Sequence, residues 1–179
     1  MLATMVTVRG MTPGDRSAIS GLDTSFQTST IFDVRVTARQ IELVERALPA
    51  PITKRYAIDD VFAPWARWDT GFVALERAEV IGFAGVELET WHARLVLWHL
   101  YVAPAWRRAG VGRALLDEIE AFGRAHRARR VWLETSNVNV PGIAAYARLG
   151  YALCGADTTE YDTLEYADEA ALYFAKSLT

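Results

Sequence analysis

The sequence predicts a mixed α/β (α+β) fold: a mostly antiparallel central sheet flanked by helices, in a single domain spanning residues 1–179. Three observations predict it. The apolar runs 71–75, 80–89 and 95–102 are joined by connections too short for crossover helices, so they are antiparallel neighbours. Two later runs, Val111 to His126 and Val140 to Leu149, have helical rather than alternating spacing. The 179 residues, 51% hydrophobic and 23% charged, suit one domain with a full core, and no linker, repeat or low-complexity stretch divides them.

Taken in order, Val6 to Arg9 reads as a short strand, and Thr12-Pro13 starts a helix near Asp15 to Leu22. Phe32 to Val36 alternates like a strand, while Ile41 to Leu48 fits a strand or a helix. Pro49, Pro51 and Pro64 are expected to break this region into loops, with Trp65 and Trp68 covering an apolar face or a pocket. The three-strand meander follows. Next comes the helix from Val111, with Leu115, Leu116, Ile119 and Phe122 on its apolar stripe and Asp117, Glu118 and Glu120 outward. Val131 to Glu134 is a strand, Val140 to Leu149 a helix ended by Gly150, and 151–154 and 170–174 are the last two strands. The lone cysteine, Cys154, excludes an intrachain disulfide and reads as a small core residue.

The strand-to-helix junction at Arg107-Arg-Ala-Gly-Val-Gly112 carries the chemistry. The first turn of a helix has unpaired N–H groups and partial positive charge. Glycines let its backbone approach a ligand closely, and Arg107, Arg108 and Arg113 surround the same point. The combination suits a pyrophosphate. It is not a Walker loop, because Gly112 is followed by Arg-Ala, and not a dinucleotide fingerprint, because position 115 is Leu.

Leu100-Tyr-Val-Ala-Pro104 followed by Arg107 to Gly112 resembles the acetyl-CoA signature of the GNAT superfamily of N-acyltransferases. Asn139 to Tyr151, with Tyr146 and Leu149-Gly150-Tyr151, resembles that family's second element, in the family's order and separation. Ile31 to Val34, Trp98 to Val102, Leu133-Glu-Thr135, Asn139-Val-Pro141, Gly155-Ala-Asp157 and Asp168 to Tyr173 are similar to the streptothricin acetyltransferase branch, which implies antibiotic resistance by acetylation of a β-lysine amine.

The resemblance implies acetyl-CoA as co-substrate, with no metal. The turn Arg107, Arg108, Ala109, Gly110, Val111 and Gly112, with Arg113, would hold the pyrophosphate. The backbone of Leu100, Tyr101 and Val102 would pair with the pantetheine arm, beyond a bulge that splays the strand. The Val102 amide would face the thioester carbonyl. Asn139 would contact the cofactor, and Tyr146 would protonate the departing thiolate. The base stays open among Glu87, Glu89 and water. Trp98 stands where relatives often carry an acid, and His99 reads as a buried structural histidine. The acidic stretch Asp157, Glu160, Asp162, Glu165, Asp168 and Glu169, with Asp33, is expected to attract a cationic acceptor.

The expected partner is a small-molecule amine. A net charge of −3 argues against general nucleic-acid binding, and the apolar run before the arginines is too short to span a bilayer. Met1 to Val8 shows no basic leader, so a cytoplasmic location is expected. A homodimer is left open. Two rival readings use the same cradle: an acetyltransferase for protein N-termini or lysines, and a noncatalytic acyl-CoA-binding sensor. Tyr146 favours the enzyme, because binding alone needs no acid beside the sulfur.

Overall fold

A computed structural model describes residues 6–161 and 169–179. Asp162, Glu165 and Asp168 of the acidic stretch lie outside the described residues. The chain groups into two compact units. The first comprises residues up to Phe26, Arg55–Val131 and Ser177–Thr179; the second comprises Gln27–Lys54 and Trp132–Lys176.

In the first unit, strands β1 (Val6–Gly10), β4 (Thr70–Glu76), β5 (Glu79–Glu89) and β6 (Arg94–Val102) lie side by side in that order, each antiparallel to the next. Short loops force the β4-β5-β6 part of this arrangement, as the sequence predicts; β1 joins it from a distant stretch of chain. One face is covered by α2 (Val111–Ala125), whose Val111, Leu115, Leu116 and Ile119 are buried. The other face packs Phe83, Val73, Ile19, Leu22 and Val61 into a core together with the short helix α1 (Arg16–Ser20). Asp15 anchors the start of this region through a bidentate pair with Arg9 at 2.7 Å, and that bond, more than any other contact, holds its carboxyl well below the usual range. Gly82 sets the seat of α2. A Cβ there would lie 3.0 Å from the Tyr101 carbonyl and 3.1 Å from Leu115, so even alanine would need its neighbours to shift.

In the second unit, β7 (Arg130–Ser136), β9 (Ala171–Ser177) and β8 (Ala152–Asp157) are neighbours in that order, with α3 (Val140–Arg148) following β7. A separate two-stranded sheet joins β2 (Ser25–Val36) to β3 (Ile41–Arg55) through the turn at Thr37 to Gln40. Asn137 latches β2: its side chain donates to the Phe32 carbonyl at 2.7 Å and accepts from the Ala170 amide at 2.9 Å.

Four expectations are corrected. Pro49 and Pro51 do not end a strand but lie inside β3. Spaced by two, they share one edge of the strand, and a two-stranded sheet leaves an edge where missing N–H groups cost no ladder bond. Glu120 points inward and is only 4% exposed, with Arg124 one helical turn away as its partner. Trp65 is 72% exposed, whereas Trp68 lies over Gly85 and edges onto Phe83. Cys154 is exposed, because it is the extra residue at a bulge where β8 passes from Leu153↔Phe174 to Gly155↔Tyr173.

Candidate active site

The end of β6 and the turn into α2 form the first part of the site. Between Gly85↔His99 and Val86↔Leu97 the register slips, leaving Trp98 as a bulged residue. Its indole Nε1 donates to Glu87 at 2.9 Å. Beyond the bulge His99 and Tyr101 share a face, packed by Phe83 and by each other. Burial pushes the His99 imidazole down to about 4 and the Tyr101 phenol up to about 12, so both are neutral at physiological pH. The half-buried, neutral His99 fits the structural role expected of it.

Backbone pairing fixes which amides of this strand are available. Ala103 donates to Ile81 at 2.9 Å, making that pair hydrogen-bonded. Antiparallel alternation then turns the N–H and C=O groups of Leu100 and Val102 to the edge away from β5. Arg107 caps part of that edge, its Nε donating to the Val102 carbonyl at 2.9 Å and its Nη2 to the Asp23 carbonyl at 3.3 Å. Arg107 therefore braces the strand end through its side chain.

The turn itself is left-handed at two positions, Arg108 (φ 64°) and Gly110 (φ 87°). That conformation costs a non-glycine residue roughly 1–2 kcal/mol, and the Arg108 backbone bears it. Gly110 is the N-cap of α2, and no side chain caps the helix. The first intrahelical bond runs from Ala114 to Gly110 at 2.9 Å, so the amides of Val111, Gly112 and Arg113 precede it. The first turn holds no acidic residue. A Cβ on Gly110 would meet nothing within 4 Å, and one on Gly112 would only touch Val102 at 3.9 Å. The protein's own packing thus does not require glycine at 112. Open space, free amides, a positive helix end and exposed Arg108 and Arg113 together fit an anionic phosphate group.

Asn139 and Tyr146 lie in the second unit. Asn139 is the N-cap of α3: its Oδ1 accepts from Gly142 N at 3.1 Å, and its Nδ2 donates to Thr135 at 2.9 Å. Both ends of that amide serve the fold. Tyr146 is 9% exposed, its ring beside Tyr151 and Phe174 at 5.9 and 6.3 Å.

The acids expected near the chemistry are unequal. Glu89 bonds Arg94 at 2.6 Å and His92 at 3.0 Å, and the Arg94 bond above all lowers its pKa. A carboxylate so held is a poor base. Glu87 has the Trp98 indole and Arg67 at 3.5 Å. Asp33 is bound by Arg46 at 2.9 Å, and Asp157 closes its own turn onto Thr159 at 2.7 Å.

The sequence reading missed a polar cluster on the second unit. Glu134 on β7 accepts from the Tyr161 hydroxyl; Lys54 pairs with Glu169, which also accepts from Ser136 at 2.5 Å. Burial, foremost, raises the Glu134 pKa. Its sequence signals were a carboxylate in the otherwise apolar strand run Val131-Trp-Leu-Glu134 and the family-like stretch Leu133-Glu-Thr135, neither of which assigned it a role.

Among the described residues, no group of three metal-ligating side chains could hold a metal ion, and no helix is long and apolar enough to cross a membrane. Comparison with known proteins gives the family. The model of the acetyltransferase (GNAT) family matches residues 39–151. Streptothricin acetyltransferase of Streptomyces lavendulae is 38% identical over 175 residues, covering 93% of this chain and 92% of that protein. The crystal structure of nourseothricin acetyltransferase aligns with a TM-score of 0.87 at 38% identity, covering 97% of this chain and 99% of the other. A Bacillus anthracis str. Ames crystal structure, provisionally assigned as a streptothricin acetyltransferase and solved with acetyl coenzyme A, shares the fold with a TM-score of 0.82 at 22% identity, covering 97% and 99%. Over most of its length, the chain belongs to the acetyltransferase (GNAT) family.

Proposed function

We propose that the chain, acting as one domain over residues 1–179, transfers an acetyl group from acetyl-CoA to the β-lysine amine of a streptothricin-type antibiotic. The observation that carries this reading is the open, uncapped and acid-free start of α2, in a chain 38% identical to a streptothricin acetyltransferase.

Acetyl-CoA supplies an acyl group already activated as a thioester; the protein supplies position, charge and protons. The amides of Val111, Gly112 and Arg113 donate to the pyrophosphate, with Arg108 and Arg113 adding charge from the rim. The outward edge at Leu100 and Val102 pairs with the pantetheine arm. The Val102 N–H donates to the carbonyl oxygen, favouring negative charge there as the amine adds. Arg107 keeps that amide in place by holding the carbonyl of the same residue. Tyr146 gives a proton to the leaving sulfur; its reference pKa of about 10 against about 8.5 for a thiol makes the phenol a workable donor. Asn139 acts by fixing the start of α3, and so the helix that carries Tyr146. An alkylammonium of pKa about 10.4 must lose a proton before it attacks, and water or Glu87 takes it.

The test is acetyl-CoA turnover against streptothricins, other amine antibiotics, polyamines and peptide N-termini, with the product identified by mass. Streptothricin should be acetylated once, on its β-lysine moiety, with the highest kcat/KM. Faster turnover of peptide N-termini would assign a protein acetyltransferase. Tight acetyl-CoA binding without turnover of any amine would assign a sensor.

A further inference from the structure

We propose that Glu134 is the carboxylate that receives the non-reacting ammonium group of the cationic acceptor, making it a specificity-determining residue. This inference rests on the amine acetyltransferase reading above and deepens it.

The second unit's sheet has two different faces. On β9, Phe174 faces Tyr146, whereas its neighbour Tyr173 stacks on Trp132 at 5.1 Å. Alternation along β7 puts Trp132, Glu134 and Ser136 together. Glu134 therefore lies on the face opposite to Tyr146, apart from the proton donor, where it is placed to recognise rather than to react.

Among the described residues, negative charge outweighs positive around Glu134. One of its oxygens accepts from Tyr161, and the other accepts no hydrogen bond among the described residues. No cation pairs with it within ion-pair distance among those residues. The charged groups that bear on it are Lys54 from β3, Glu160 beyond β8, and Glu169 ahead of β9. Tyr161 and Tyr173 are the titratable phenols nearby. Lys54 is taken by Glu169. Three carboxylates against one ammonium leave negative charge uncompensated, in a place where burial already disfavours it. An incoming ammonium supplies what is missing: a positive charge and donors for the free oxygen. Of the other acids expected to do this, Asp33 is paired with Arg46, Glu169 with Lys54, and Asp157 accepts from its own turn.

The pH dependence has a definite sign. Ammonium binding needs Glu134 ionised, and its pKa lies above the ordinary glutamate value, chiefly through burial. Acceptor affinity should therefore rise as pH climbs through that raised pKa, while the amine itself stays protonated.

Glu134→Gln keeps the shape and an oxygen for Tyr161 while removing the charge, and Glu134→Asp keeps the charge. Steady-state kinetics would use streptothricin, a dicationic polyamine and a monoamine with a neutral tail; calorimetry would measure spermidine binding without turnover. In a variant that melts like the parent, Glu134→Gln should raise KM for the two polycations by about ten- to a hundredfold, the range for losing a bond to a charged group. KM for acetyl-CoA and for the monoamine should hold, and the pH dependence of polycation KM should flatten. Glu134→Asp should recover part of the loss. An unchanged polycation KM, or an equal loss for the monoamine, would overturn the assignment. Failure of the parent enzyme to acetylate any amine would instead sink the functional reading, and spermidine calorimetry on parent and variant would still decide Glu134. Unequal binding there supports the site, and equal binding rejects it.

Discussion

Two strand-to-helix junctions in this chain are built from similar parts and solve the helix N-terminus in opposite ways. At the start of α2, Gly110 provides a left-handed backbone and no cap; Gly112 leaves space that the protein does not fill. At the start of α3, the Asn139 side chain closes the end by accepting from Gly142, and occupies the very space where a Cβ on Gly142 would lie, at 2.4–2.7 Å. The first leaves its donors without a side-chain cap. The second satisfies its donors internally. A glycine near a helix start is therefore no sign of a binding site until one asks what its missing side chain makes room for.

If this contrast is right, the first junction should control acetyl-CoA affinity and the second should not. Gly112→Glu places a carboxylate beside the pyrophosphate. Two like charges about 4 Å apart at an effective dielectric near 20 repel by about 4 kcal/mol, or about a thousandfold in acetyl-CoA affinity, which calorimetry on the folded variant reads directly. Unaltered affinity would remove the turn from the site. Tyr146→Phe, on α3, should instead lower kcat by about a hundredfold, the low end for general acid catalysis because water can substitute, with KM for acetyl-CoA nearly constant. An unchanged kcat, where chemistry limits the rate, would reduce Tyr146 to the core aromatic that its packing against Phe174 also allows.

A smaller effect sharpens the comparison further. Asn139→Ala should cost about 1 kcal/mol of stability, the usual loss for an N-cap, seen as a lower melting temperature with near-parental acetyl-CoA affinity. The family resemblance gives Asn139 a direct contact with the cofactor. A loss of acetyl-CoA affinity without loss of stability would restore that role over the cap.

How far the sequence could be read depended on whether each feature was local. The meander was legible because its short connections allow no other topology, and α2 because its apolar stripe repeats with helical period. The turn at Arg107 to Gly112 was legible because backbone chemistry alone defines it. Pro49 and Pro51 misled because proline excludes a paired N–H and not an edge one, and only the partner strand says which edge is free. Glu120 misled because the Arg124 that pairs with it reads equally well as a solvated helix end. Glu134 was quoted in a family-like stretch but given no role, because its meaning comes from residues 54, 160, 161 and 169, brought beside it by topology. Asn139 was found through the motif, but its bonds to Thr135 and Gly142 follow from geometry that no spacing reveals.

The smallest expected effect separates the two junctions most cleanly, because one substitution has opposite signs at them. Gly112 lies within α2 with open space around it, so Gly112→Ala should stabilise the protein by about 0.5–1 kcal/mol, the ordinary gain of alanine over glycine in a helix. The same methyl narrows the approach to the amides and should weaken acetyl-CoA binding. Gly142→Ala has the same propensity gain, but its methyl would strike the Asn139 side chain. That side chain cannot step aside without losing its bonds to Gly142 and Thr135, a cost of about 1 kcal/mol for the cap alone. Gly142→Ala should therefore lower the melting temperature, while Gly112→Ala raises it. Acetyl-CoA affinity should move only for the latter. Should both substitutions destabilise, Gly112 is held by packing after all, and the space above it is not reserved for a ligand.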